Sequence, residues 1–279
     1  MKSHFQEHGY EVRTLDRAKE DLTRPDTLKE FVSDASVLVH LAGKNRATDD
    51  ELYTANTVST LGLIQACATY NIQKIKILFA SSMQVYEPTN EPVMINEKHQ
   101  VSRRSAFSNS KLLAEDLLRK WSEGGQINAV AMRISNVYGP GCRPNYNSVI
   151  ATFIERASRR EELEVVGGSK ARDFIHIGDV VDAVMKIAES SIDGFEALNI
   201  CTGKSTTISE LGRRLKIFFP QIPIKSIDES QNETHLIGDP SKAEKKYGFR
   251  AKISLETGLR KTIEYALQSP NSQKDVRVT

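Results

Sequence analysis

The stretch "KIKILFA", residues 74–80, decides how the chain folds. It is nearly continuous in apolar side chains, too short for a helix of ordinary length, and it runs straight into the small polar residues Ser81 and Ser82. Such a run reads as a strand buried on both faces, the kind found in parallel sheets. Moving outward, "SVLVHLA" (36–42) and "INAVAMRI" (127–134) have the same character, and "YEVRTLD" (10–16) is a strand-like run rich in β-branched residues. Helical patterns separate them. "PDTLKEFV" places Pro25 in a first turn, where its missing N–H costs nothing. In "ELYTANTVSTLGLIQACATY" (51–70), Leu52, Ala55, Leu63, Ala66 and Cys67 fall mainly on one stripe, with Asp49 or Asp50 as the expected cap. "SAFSNSKLLAEDLLRKW" (105–121) is the third. The order βαβαβαβ gives an α/β fold: a doubly wound parallel sheet covered on both faces.

After Tyr138 the pattern changes. "GPGCRPNY" is loop-like, a helix follows at about 148–160, then a short strand "LEVVG", a helix from about Gly178 to Ser190, and the strand "ALNICT". This spacing predicts a smaller part interleaved with the sheet rather than tethered to it. The sheet part is expected over 1–137 and 173–202, the smaller C-terminal part over 138–172 and 203–266, and a polar tail over 267–279.

The totals narrow the classes of partner. The 279 residues include 38 basic and 36 acidic side chains, so the formal charge is +2 and nothing in it favours a nucleic acid. Arg156, Arg159 and Arg160 are followed by Glu161 and Glu162, as on a solvated mixed face. Three cysteines, Cys67, Cys142 and Cys201, are far apart and odd in number, which suggests a reducing compartment. The apolar runs are too short to cross a bilayer and no apolar signal core opens the chain, so the sequence reads as cytoplasmic with no membrane partner.

Ordered short motifs then give a resemblance. They are "LDR" (15–17), "DLT" (21–23), "VHLAG" (39–43), "ANT" (55–57), "FASSMQVY" (79–86), "FSNSK" (107–111), "RISNVYGPG" (133–141), "RDFIHIGDVVDA" (172–183) and "DPSKAEKKYGF" (239–249). Together and in this order the chain resembles the extended short-chain dehydrogenase/reductase superfamily, specifically the NAD-dependent sugar-nucleotide epimerases and dehydratases. The resemblance implies a Rossmann-like nucleotide-binding sheet, a substrate-binding smaller part, NAD as cofactor and a nucleotide-sugar as substrate. It also implies a possible homodimer through the helices at about 50–70 and 105–121.

Residue by residue, the resemblance places Asp16 on the adenosine ribose hydroxyls, Asp21 by the adenine amine, and the backbone of Ala42 and Gly43 along the cofactor's path. Read alone, Asp16 suits a turn cap and Asp21 a surface loop acid. The catalytic positions match Ser82, Phe107 and Lys111. The family uses a tyrosine as acid/base, a lysine one turn later that lowers its pKa and holds the nicotinamide ribose, and a serine or threonine that orients the reacting oxygen. Here the tyrosine position is Phe107, which can neither give nor accept a proton. Ser82 also suits a strand-end turn, and Lys111 an exposed helical position. Asn136 and Arg172 match positions that bind the nucleotide diphosphate, although Arg172 could instead pair with Asp173 or Asp179.

Two departures stand out. The family's second arginine, expected shortly before "DPSKA", is absent from "ESQNETHLIGDPSKA". The glycine-rich strand-turn that cradles a pyrophosphate has no counterpart near "MKSHFQEHGYEV", so the expectation is that this first strand lies upstream and Met1 was an internal codon. Without it, two interior strand edges are left unpaired. Finally "HFQEH" (4–8) fits the H-x-x-E-H zinc spacing, but a helix end before Gly9 with no third ligand favours no metal. His40, His99, His176 and His235 show no ligand spacing. The readings that remain are an NAD-dependent epimerase/dehydratase-type enzyme and a non-catalytic relative that keeps the scaffold as a binding module.

Overall fold

The computed structural model describes residues 1–71, 74–146, 148–227 and 234–268. The expected tail lies outside the described residues from 269 onward; Leu267 and Gln268 belong to the last helix, Leu255–Gln268. Four parallel strands form the central sheet in the order β1 (Val37–His40), β2 (Lys76–Ser82), β3 (Asn128–Ile134) and β4 (Phe195–Ile200). Their registers pair Leu78 with Val39 on one side and Val130 on the other, and Met132 with Leu198. The sheet is therefore built from the runs whose apolar continuity marks them as buried on both faces.

Side chains alternate strictly between two cores. Leu38, Ile77, Phe79, Ala129 and Ala131 face helices α1 (Ser59–Tyr70) and α2 (Ala106–Glu123), meeting Leu63, Ile64, Ala114 and Leu118. Leu78, Val130, Met132 and Leu198 face helix α3 (Ile177–Glu189), meeting Val180, Ala183, Val184 and Ile187. A third core, around Tyr138, Ile154, Phe174, Leu211 and Leu259, gathers the part of the chain outside the central sheet. Short ladders stitch that part to the sheet's C-terminal ends: Asn136–Tyr138 beside Phe174–His176, and Ala171–Arg172 beside Thr206–Thr207. Among the described residues, no helix is long and apolar enough to cross a membrane.

Three expectations need correction. Residues 10–16 are in no ladder, although they pack as a strand would: Tyr10 and Val12 against one core, Leu15 against the other. A strand needs a neighbour as well as a pattern, and β1 has β2 as its one partner. The cap of the helix at 51–70 is Thr48 rather than Asp49 or Asp50; its hydroxyl and the Glu51 carboxylate form a reciprocal capping box. That helix is also not uniform, because Thr54–Val58 is wound as one π turn between Asp49–Tyr53 and α1.

One buried ion pair fixes α2 to the sheet. Glu115, 1% exposed, accepts from Arg133 Nη2 of β3 at 2.7 Å and from Ser81 Oγ of β2 at 2.5 Å, while the Arg133 guanidinium lies 4.8 Å from the centre of the Tyr86 ring. Removing one partner leaves the other charge buried and unmatched. Glu115→Ala is therefore expected to cost about 3–5 kcal/mol of unfolding free energy, and the double variant Glu115→Leu/Arg133→Met considerably less. Urea denaturation checks this; a single-variant cost below about 1 kcal/mol, the range of exposed pairs, would refute it.

Candidate functional site

The site is assembled where β1, β2 and β3 end. Asn56, fully buried in the π turn, binds both backbone groups of Lys44: its Oδ1 accepts from Lys44 N at 3.0 Å and its Nδ2 donates to Lys44 O at 2.9 Å. The same Nδ2 reaches Ser110 Oγ of α2 at 3.0 Å. One amide thus holds the loop after β1 against α2, and a π turn at such a position is a common functional device. Gly43 fits only because it has no side chain. An added Cβ would sit 2.5 Å from Asn56 Oδ1 and 3.1 Å from Lys111 Nζ.

Lys111 is buried, not exposed. Its Nζ donates to Ala80 O, near the end of β2, at 2.8 Å and lies 4.7 Å over the Phe79 ring. Burial pulls its ammonium down to about 8, against the opposing pull of Glu115 one turn on. His40 beside the same ring is held down to about 3 by burial and then by Lys111, so it is a neutral structural histidine bonded to Thr60 Oγ1 at 3.0 Å. Phe107 occupies the first turn of α2, half-buried, behind the Ser105 cap. Ser82 ends β2, where its Oγ accepts from Gln84 N at 3.1 Å; it shares a small pocket with Asn136.

Two tyrosines near the strand ends, Tyr86 and Tyr138, are locked in the core. Tyr86 gives its hydroxyl to Asn199 Oδ1 at 2.7 Å inside the core, where burial raises it to about 12. Tyr138 is raised further by burial, and its buried hydroxyl has no partner among the described residues.

A cleft of about 320 Å³ adjoins the small pocket of Ser82, with Gln84 and Asn136 lining both, while Gly43, Phe107 and Lys111 are outside its lining. It brings together Asn136 and Arg172, as the sequence suggested, and adds Arg46, Gln84 and Tyr146, which sequence reasoning missed. Arg172 pairs with neither proposed aspartate. Asp173 accepts from Ser135, Thr202 and Gly203, and Asp179 accepts from the backbone of Lys252 and Ile253. Instead Arg172 Nη1 donates to Thr234 O at 2.5 Å and to Ala171 O at 2.9 Å, and burial lowers its pKa. Among the described residues this leaves a cation in the cleft wall without a carboxylate. Arg46 Nη1 donates to Asn145 O at 3.0 Å, 99 positions away in sequence, so no local pattern announced it.

The remaining sequence candidates lie apart from the cleft lining. Asp16 and Asp21 are exposed turn acids: Asp16 Oδ1 accepts from Ala18 N at 3.0 Å, and Asp21 Oδ1 accepts from Thr23 N and Oγ1 at 2.8 Å each. The Thr23 backbone bond holds the Asp21 carboxyl below its ordinary value. His8 Nδ1 bonds its own helix at His4 O, 2.8 Å, and among the described residues no three His, Cys, Asp or Glu gather as metal ligands.

Known proteins share sequence and fold with this chain. The chain is 28% identical over 243 residues to a putative UDP-glucose 4-epimerase of Methanocaldococcus jannaschii, covering 83% of this chain and 77% of that one. Its fold matches a UDP-glucose 4-epimerase from Thermotoga maritima, solved with UDP-glucose, with a TM-score of 0.84 at 24% identity over 96% of this chain and 94% of that one. A TM-score of 0.78 at 27% identity, covering 92% and 85%, relates it to MoeE5 in complex with UDP-glucuronic acid and NAD. The model of the NAD dependent epimerase/dehydratase family matches residues 1–201, well over half of the chain, and the protein belongs to that family.

Proposed function

We propose that the chain binds NAD and a nucleotide sugar at this site, for the oxidoreductase chemistry of epimerases and dehydratases, with Phe107 standing where that chemistry needs its acid/base. The observation that carries the reading is Lys111: a buried ammonium, without a carboxylate bonded to it, aimed at the seam between Gly43 and the end of β2. A lysine costs stability in such a place unless a ligand uses it. The relatives that share this fold act on or hold UDP-sugars, and some hold NAD.

The residues present fit the cofactor in part. Gly43 is exposed and backbone-only beside Lys111, so a ribose can approach where a Cβ would block it. Lys111 would donate to the nicotinamide ribose, and Asp16, exposed at its turn, would accept from the adenosine ribose. When bound, NAD supplies a hydride acceptor. On the substrate side, Arg172 and Asn136 would take the diphosphate, the guanidinium fork matching phosphate oxygens, while Ser82 would orient the reacting hydroxyl.

The proton is the gap. With Phe107 in place, no side chain one turn before Lys111 can remove it, and a positioned acid/base is worth roughly 10²–10⁴ in rate. A second reading, a binding module without turnover, is favoured by Phe107 and by the lack of a second arginine shortly before Asp239.

Three outcomes are expected. Phe107→Tyr adds a hydroxyl to an existing ring and should raise sugar-dependent change in nicotinamide absorbance by roughly 10²-fold or more; no gain would end the acid/base account. Fluorescence titration with NADH should saturate, and Lys111→Ala should weaken it about tenfold, as loss of a charge-assisted hydrogen bond does; a titration that never saturates removes the cofactor from the reading. Lys111 also predicts a pH signature. Because its folded pKa of about 8 lies below its unfolded value, the unfolded chain binds more protons between the two. Stability relative to Lys111→Met should therefore rise as pH climbs from about 8 to about 10.5, by on the order of 3 kcal/mol. A flat difference between the two proteins across that window would mean Lys111 is not buried as a cation.

A further inference from the structure

The lining of the cleft carries two arginines, Arg46 and Arg172, and among its described residues no carboxylate. They approach from different elements. Arg172 comes from the short ladder beside Thr206–Thr207 and is tied to Thr234. Arg46 comes from the loop after β1, three residues beyond Gly43, which itself lies against Lys111. That loop is pinned by Asn56, and Arg46 is held by its bond to Asn145 O. Gln84, two residues past Ser82, lines the same cleft. The two guanidiniums thus come from different elements, Arg46 from the loop that carries Gly43 and Arg172 from the short ladder, and face one cleft.

The neighbour of Arg46 adds a second requirement. Asn45 also lines the cleft, and its buried Oδ1 has no donor among the described residues. An unmatched acceptor of this kind is relieved by a hydroxyl. Adjacent residues of one loop thus call for a hydroxyl donor and for an anion. An ionised diphosphate offers no hydroxyl donor to Asn45 Oδ1. A hexose that carries a carboxylate meets both, and a guanidinium fork is the group best shaped to take a carboxylate through two parallel bonds.

Building on the nucleotide-sugar reading above, we propose that the cleft selects a sugar nucleotide whose hexose is a uronic acid, with Arg46 as the residue that recognises its carboxylate. Arg46 keeps donors beyond the Nη1 bonded to Asn145 O, so it can serve the ligand without releasing the loop.

Calorimetric titration of the full chain with UDP, UDP-glucose and UDP-glucuronic acid tests this without relying on turnover. UDP-glucuronic acid is expected to bind at least about tenfold more tightly than UDP-glucose, the range of a charge-assisted hydrogen bond. In Arg46→Ala that preference should fall below about twofold, while Arg46→Lys, which keeps the charge and loses the fork, should retain part of it. A melting curve on each variant confirms that it is folded. Equal affinity for the two sugars in the unaltered chain overturns the inference, as does a preference that survives Arg46→Ala. If UDP itself fails to bind, the nucleotide-sugar reading falls and this inference falls with it; if UDP binds and the uronate is not preferred, the inference falls alone.

Discussion

The Glu115 carboxylate is the constraint on which the site depends. It is wholly enclosed, and its two oxygens hold a guanidinium from β3 and a hydroxyl from β2. A carboxylate in that position fixes both the azimuth and the depth of α2 on the sheet, because three elements must agree before its lone pairs are filled. Lys111 lies four residues earlier on the same helix face, so the depth set by Glu115 is the depth at which the ammonium meets Ala80 O. The first-turn position of Phe107 follows from the same placement. A buried hydrophobic contact could hold α2 as strongly, but it would not set its rotation so tightly.

From there the order propagates through polar groups rather than apolar area. Ser110, next to Lys111, receives the Asn56 amide, and Asn56 in turn closes on both backbone groups of Lys44. The loop that carries Ala42, Gly43, Asn45 and Arg46 is therefore built from α2 outward. The π turn has a role in this chain. It redirects the helix so that Asn56 faces inward with none of its surface exposed, while Thr57 turns to Ser110 O at 2.9 Å.

Much of this was legible in the sequence, for a physical reason: sheet strands 37–40, 76–82, 128–134 and 195–200 announce themselves by continuous apolar runs, which depend on local composition alone. Ser82, Lys111, Asn136 and Arg172 were named by resemblance to the family; of their placement, local pattern alone indicates Ser82 at a strand end and Lys111 on a helix. What was not legible is what needs a partner distant in sequence. Residues 10–16 have the pattern of a strand and no ladder. Arg172 had two nearby aspartates to choose from, and both are occupied by backbone N–H groups that no local rule points to. Arg46 is unremarkable until Asn145 is brought to it. The Thr48 cap is a different case: "TDDE" at 48–51 is a complete capping-box signature, visible in the sequence and passed over for the adjacent aspartates.

Phe107 and Lys111 then pull in opposite directions. A site that had lost all function would gain stability by replacing a buried lysine with an apolar residue, since the penalty of burying an ammonium is several kcal/mol and Phe107 leaves it no phenol to tune. Yet the chain keeps Lys111, keeps Gly43 open beside it, and keeps Asn45 Oδ1 and Arg172 without full partners among the described residues. Each of these lowers the stability of the empty protein, and each is relieved by the same kind of guest, one with anionic oxygens and hydroxyl donors. Asn45 and Arg172 line one cleft, and Gly43, two residues before Asn45, lies against Lys111. On the function proposed above, Phe107 bears on proton transfer and leaves the argument for binding intact.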